Sequence, residues 1–165
     1  MEADPEVLAL ARQVGEGLRT HRQTVAVAES CTGGLLGGAL TDVPGSSQYF
    51  LGGIVAYADR VKIDQLGVSS AVIAREGAVS AMTAAAMADG VRALLKADVG
   101  VSITGVAGPD AEGSKPVGLT YIGIANPVAH AHRYQWTGNR WQNRRSSVLA
   151  ALELLAQALE PEEVH

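Results

Sequence analysis

This 165-residue chain carries a single cysteine, Cys31. No internal disulfide can form, and no Cys-x-x-Cys pair or Cys/His cluster supplies the spacing of a zinc site. His21, His130, His132 and His165 are scattered. His130 and His132 share one face of a predicted strand but have no third ligand, so no metal is expected. Basic excess is also missing. The net charge of −4 leaves no electrostatic footprint for nucleic acid, although a local anion site need not follow the global sign. No apolar run approaches the roughly 20 residues of a membrane span. The opening "MEADPEVLALARQ" has no basic stretch ahead of an apolar one, so no secretion signal is read there. A cytoplasmic protein with no membrane partner is the expectation. Neither Gly-x-Gly-x-x-Gly nor a Walker Gly-Lys-Ser/Thr occurs after the first predicted strand, and no cofactor is expected. Aromatic residues make up only 4%, which, with alanine-rich helices, is compatible with helix-mediated pairing into a homodimer.

What is present is enough apolar residue, 47% against 18% charged, to build a real core in one domain of ordinary size. Pro5 can open a first helix, in which Val7, Leu8, Ala11, Val14 and Leu18 recur at helical spacing. "TVAVAE" (24–29) reads as a buried strand. Thr32 can cap a helix over Gly33–Thr41, which four glycines weaken. "DVPGSS" (42–47) is turn chemistry, and "YFLGGIVAY" (49–57) reads as a second strand. A short helix over 58–68 closes at Gly67, and another follows near 70–75. Residues 80–96 form the clearest helix. "DVGVSIT" (98–104) alternates as a strand, a Gly/Pro loop spans 105–118, and strands follow near 119–125 and 131–136. Asn139 caps a last helix to about Leu159, and the tail "EPEEVH" is expected to fray. Helices and strands intermix without repeat or linker. A single α/β domain is predicted, ordered over about 6–158, with a mixed sheet and helices packed on its faces.

Ligands of open α/β sheets sit beyond the carboxyl ends of strands. Three predicted strands deliver polar residues there: Glu29-Ser30, Tyr57, and Thr104 before Gly105. Each taken alone has a plain structural reading as a cap of the next element. Thr32, Gly33 and Gly34 at a predicted helix start offer bare N–H groups to an anion, or simply permit close packing. Lys62 follows Tyr57 by five residues. A solvated lysine is common, but a partly buried one loses basicity and can deprotonate a serine. Ser46 and Ser47 in the Pro-Gly turn are the candidates. Arg144 shares the apolar stripe of Val148, Ala151 and Leu155 and so points inward, where an arginine commonly holds a carboxylate or phosphate. Arg140 and Arg145 fall on other faces and read as surface charges. Cys31 has no histidine placed to activate it and reads as packing, facing away from the site.

In order, "AESCTGG", "PGSSQYFLGGIVAY", Lys62 before "LGV", "GAVS", "SITGVAGP", "KPVGLTYIG" and "GNR" resemble the C-terminal domain of the competence/damage-inducible protein CinA. The same pattern occurs in stand-alone nicotinamide-nucleotide amidases of the PncC type. The resemblance covers roughly residues 6–158, without the N-terminal molybdopterin-binding-like domain of full CinA, so it implies the stand-alone form. It also implies hydrolysis of the carboxamide of nicotinamide mononucleotide to nicotinic acid mononucleotide and ammonia, by a serine–lysine mechanism without metal. Carried onto this chain, the nucleophile falls on Ser47 and the base on Lys62, with Tyr57 beside the lysine. Ser30, Thr104 and Arg144 fall on further site positions. Ala58 and the loop "AEGSKPVG" depart from the usual pattern, which bears on substrate fit. Two other readings stay open: a nucleotide-binding or partner-docking domain without chemistry, and an amidase for another carboxamide.

Overall fold

A computed structural model describes residues 2–161; residues 162–165 of the tail lie outside the described residues. The chain runs α1 (Pro5–His21), β1 (Val25–Glu29), α2 (Leu35–Thr41), a 3-10 turn (Ser46–Gln48), β2 (Phe50–Val55), α3 (Asp59–Leu66), α4 (Ser70–Glu76), α5 (Ala81–Leu95), β3 (Val99–Gly105), β4 (Leu119–Ala125), β5 (Ala129–Gln135) and α6 (Arg140–Ala158). Helix ends follow local chemistry. Asp4 caps α1 ahead of Pro5, Ser80 caps α5, and Asn139 with Gln142 forms a capping box on α6. Gly67 closes α3 in the left-handed conformation, as its sequence position predicts. Some boundaries move: β2 stops at Val55, short of Tyr57, β5 starts at Ala129, and α2 begins at Leu35 with Gly34 rather than Thr32 at its N-cap, because Gly33 and Gly34 both take positive φ and form the turn into the helix. No described helix is long and apolar enough to cross a membrane.

The five strands form one mixed sheet in the order β2-β1-β3-β4-β5, with β2, β1 and β3 parallel and β4 and β5 antiparallel additions. Alternation along β1 divides the interior into two. Val25 and Val27 join Val99, Val101 and Ile103 against α1, α2 and α6, where Leu18, Leu36, Leu40, Leu152 and Leu155 are fully buried. Each such leucine contributes roughly 1.5–3 kcal/mol of burial. Ala26 and Ala28 face the other way, toward Met87 and Val91 of α5 and Leu66 of α3. The α5 face is built from small residues because the helix sits close to it. A Cβ at Gly100 would run into the Ala88 carbonyl, and one at Gly123 into that of Ala84. Ser102 donates to the same Ala84 carbonyl at 2.5 Å, which pins α5 to the sheet.

Candidate active site

The alternation of β1 continues one residue past its end and fixes the chemistry there. Glu29 keeps the Val25–Val27 side and turns toward α2. Ser30 keeps the Ala26–Ala28 side and turns toward α3, where it meets Lys62. The Lys62 Nζ lies 3.0 Å from Ser30 Oγ, and it donates to the carbonyls of Ala56 (2.8 Å) and Tyr57 (3.1 Å). Lys62 is 1% exposed and Ser30 8%. No carboxylate lies within ion-pair distance of the amine among the described residues. Burial therefore pushes its pKa below the usual lysine value, with Asp59 and Glu112 opposing that shift from a distance.

Ser30 and Lys62 open into a pocket of about 220 Å³ at the carboxyl ends of β1, β2 and β3. Thr104 and Gly105 form one wall of it, and the Thr104 hydroxyl donates to the Ala78 carbonyl at 2.8 Å. Cys31 also lines the pocket rather than facing away from it. Burial pushes its thiol up to about 11, which leaves little thiolate near neutrality.

Several expectations are corrected by this geometry. Ser47 does not meet Lys62. It is exposed on the 3-10 turn that precedes β2, whereas Lys62 binds the chain just after β2 ends. The six residues of β2 between them span about 20 Å. Ser46 is buried on that same turn and is equally remote. Tyr57 reaches the lysine through its backbone carbonyl. Its exposed hydroxyl instead accepts from Arg140 Nη2 at 3.3 Å.

The helix start at Thr32-Gly33-Gly34 is already filled, by Glu29. The buried carboxylate accepts from Leu36 N (2.9 Å), Gly37 N (3.0 Å) and the Thr32 hydroxyl (2.6 Å), so the dipole end of α2 is answered internally. Arg144 does point inward, but onto the carbonyls of Cys31 (3.0 Å) and Thr32 (3.3 Å), which stiffens the turn carrying Ser30. The arginine that lines the pocket is Arg140, which donates to the Gly108 carbonyl at 2.6 Å. Its sequence signal was its place as the first residue of α6, directly beyond a loop, where a site residue need not share the apolar stripe. His130 and His132 are exposed on β5, and no group of three metal-ligating side chains occurs among the described residues.

Residues 7–159 match the family model described as the CinA C-terminal domain. The chain belongs to the CinA C-terminal domain family. CinA-like proteins of Thermosynechococcus vestitus and Frankia casuarinae are 51% and 52% identical over 91% and 87% of this chain. The match takes up 37% and 34% of their lengths, so the chain spans about a third of these relatives. The crystal structure of the competence/damage inducible protein CihA from Agrobacterium tumefaciens has a TM-score of 0.92 at 36% identity, covering 97% of this chain and 100% of that one. A CinA superfamily protein from Escherichia coli gives 0.88 at 29% identity, covering 95% and 94%. CinA-family membership thus extends over almost all of the described fold, and the Ser30–Lys62 pair lies inside the matched span.

Proposed function

We propose that the chain is a serine–lysine amidohydrolase that removes the amide of nicotinamide mononucleotide, with Ser30 as nucleophile and Lys62 as base. The substrate follows from the resemblance of its motifs to nicotinamide-nucleotide amidases; the choice of Ser30 follows from geometry. One observation carries the reading: a fully buried lysine with no carboxylate partner among the described residues, held against a buried serine that lines a pocket. Burying an unpaired ammonium is costly, so a purely structural role would be poorly served by it.

Burial without a carboxylate partner among the described residues lowers the pKa of Lys62 and so favours its neutral amine. Nζ lies against three oxygens, Ser30 Oγ and the Ala56 and Tyr57 carbonyls; in the neutral form its two N–H groups go to the carbonyls and its lone pair is left for the Ser30 proton. Transfer of that proton lets Oγ attack the carboxamide carbon and form a C–O bond. The resulting ammonium then donates to all three neighbours. The Cys31 N–H, next in chain after the proposed nucleophile, donates to no other residue among the described residues and is the donor we assign to the oxyanion. Collapse breaks the C–N bond as Lys62 returns the proton to the departing ammonia. Water, deprotonated by Lys62, then releases the acid from the acyl-serine.

The test is ammonia release and acid formation from nicotinamide mononucleotide. Ser30→Ala and Lys62→Ala are expected to lower kcat by at least about a thousandfold, with Ser47→Ala within about twofold of the unsubstituted chain. Absence of turnover at high enzyme concentration refutes the amidase reading. Loss of turnover in Ser47→Ala but not in Ser30→Ala refutes the assignment of the nucleophile.

A further inference from the structure

If the substrate is a mononucleotide, its phosphate needs a cationic partner, and the two places that the sequence nominates are occupied. The α2 N-terminus holds Glu29, and Arg144 holds the Cys31 and Thr32 carbonyls. Apart from Lys62, the pocket has one cationic lining residue, Arg140. Its guanidinium touches only neutral oxygens, the Gly108 carbonyl through Nη1 and the Tyr57 hydroxyl through Nη2. No carboxylate lies within ion-pair distance of it among the described residues. Two of its five N–H donors are taken by these contacts, and its charge is not neutralised. The two contacts also fix its position, because they tie the start of α6 to the segments after β2 and β3 that form the pocket mouth. Asp59, Asp110 and Glu112 line the same pocket. Asp59 and Glu112 act on the charge of Lys62, which places negative potential around the amine. The pocket thus carries two carboxylates that act on Lys62, a third, Asp110, in the loop that Arg140 holds, and a guanidinium outside ion-pair distance of every described carboxylate. That polarity matches a zwitterion whose cationic ring lies inward and whose phosphate lies outward.

Resting on the amidase reading for the identity of the ring, we infer that Arg140 is the phosphate-recognising residue of the site and sets preference for the mononucleotide over the uncharged-tail nucleoside. Binding to the Ser30→Ala chain, which removes the complication of turnover, tests this by calorimetric titration with nicotinamide mononucleotide, nicotinamide riboside and ribose 5-phosphate. Adding Arg140→Gln is expected to weaken the mononucleotide and ribose 5-phosphate about ten- to a hundredfold, as loss of a charge-assisted hydrogen bond does. The riboside should change less than about twofold. Arg140→Lys should recover part of the loss, since charge persists but the planar fork does not. Equal weakening of mononucleotide and riboside would make Arg140 a strut for Gly108 and Tyr57, and would overturn the assignment. So would retained phosphate preference in Arg140→Gln, above all if Arg144→Gln abolishes it. Ribose 5-phosphate keeps the two claims separable. Arg140-dependent binding of that sugar phosphate upholds the phosphate site even if no ammonia is released, whereas turnover that ignores Arg140 upholds the amidase alone.

Discussion

Glu29→Gln is the substitution that most directly probes how the fold holds Ser30, the proposed nucleophile. The carboxylate is 1% exposed and accepts three hydrogen bonds, two from the first turn of α2 and one from Thr32. An amide of the same shape keeps one acceptor oxygen. Placed at Oε1, it retains Thr32 and the Leu36 N–H, and its NH2 then faces the Gly37 N–H, donor against donor. The loss is one charge-assisted bond, about 1.5–3 kcal/mol, together with an unsatisfied buried N–H of about 1–3 kcal/mol. Relief of the buried charge offsets part of this, so a net cost of about 2–3 kcal/mol is expected. For a domain of this size each kcal/mol moves the melting point by roughly 2–4 °C, which gives a fall of roughly 4–12 °C by calorimetry or circular dichroism. Glu29→Ala, which removes all three bonds, should melt lower still. Because Ser30 is the next residue, kcat is expected to fall in the Gln variant at temperatures where it remains folded. A melting point within about 2 °C of the unsubstituted chain would refute the reasoning. It would mean that the stability of α2 does not depend on the charge of Glu29.

Three further outcomes follow from the same geometry. The proposed mechanism uses neutral Lys62, and burial lowers its pKa, so kcat/KM should rise with pH to a plateau reached below the ordinary lysine value of 10.5. Lys62→Arg, which cannot release its proton, should be inactive across the whole range, and activity that falls as pH rises through this region would refute the role as base. At Asp4, the Arg145 hydrogen bond and the α1 cap hold the carboxyl down at about 2, from 3.8. The folded-state pKa is depressed, so its stabilisation is present above about pH 4 and is lost as pH falls toward 2. Asp4→Asn should flatten the acid limb of the melting-point profile, and an unchanged limb would assign acid sensitivity elsewhere. Cys31 has a thiol raised to about 11 by burial, so alkylation by iodoacetamide at pH 7.5 should be slow without denaturant, and Cys31→Ala should keep turnover within about threefold. Rapid labelling with matching loss of turnover would return the cysteine to the chemistry.

The elements were legible because each carries its own local signal: the Asp4-Pro5 start of α1, the Ser80 and Asn139 caps, the left-handed Gly67, and the alternation of 99, 101 and 103. None of these requires knowledge of the rest of the chain. The partner of Lys62 was harder, because it depends on which end of the sheet each loop occupies. Read in sequence, Ser47 and Lys62 flank one strand and look close. A strand is a rigid spacer, however, and residues before and after it lie at opposite ends of the sheet. Parallel pairing of β1 with β2 brings the end of β1, not the start of β2, beside Lys62. The strand-end rule nominates Ser30 for the site, beside Tyr57 and Thr104, but not as the partner of Lys62; strand parity supplies that step, since Ala26, Ala28 and Ser30 lie on one side and Val25, Val27 and Glu29 on the other. Parity also identifies the occupant of the α2 N-terminus. Glu29 leaves β1 on the side where α2 packs, so the helix dipole is met by a residue of the chain's own before any ligand arrives. What no local pattern could supply is the arginine exchange. Arg144 and Arg140 are one helical turn apart. Which of them reaches the pocket depends on where α6 lies against the loop that follows β3, a tertiary fact set by Asn143 donating to the Ala107 carbonyl at 3.0 Å. With that anchor in place, Arg144 lies over the turn after β1 and Arg140 reaches the Gly108 carbonyl at the rim. The inward stripe of α6 therefore carries the structural arginine, and its exposed first residue carries the one offered to a ligand.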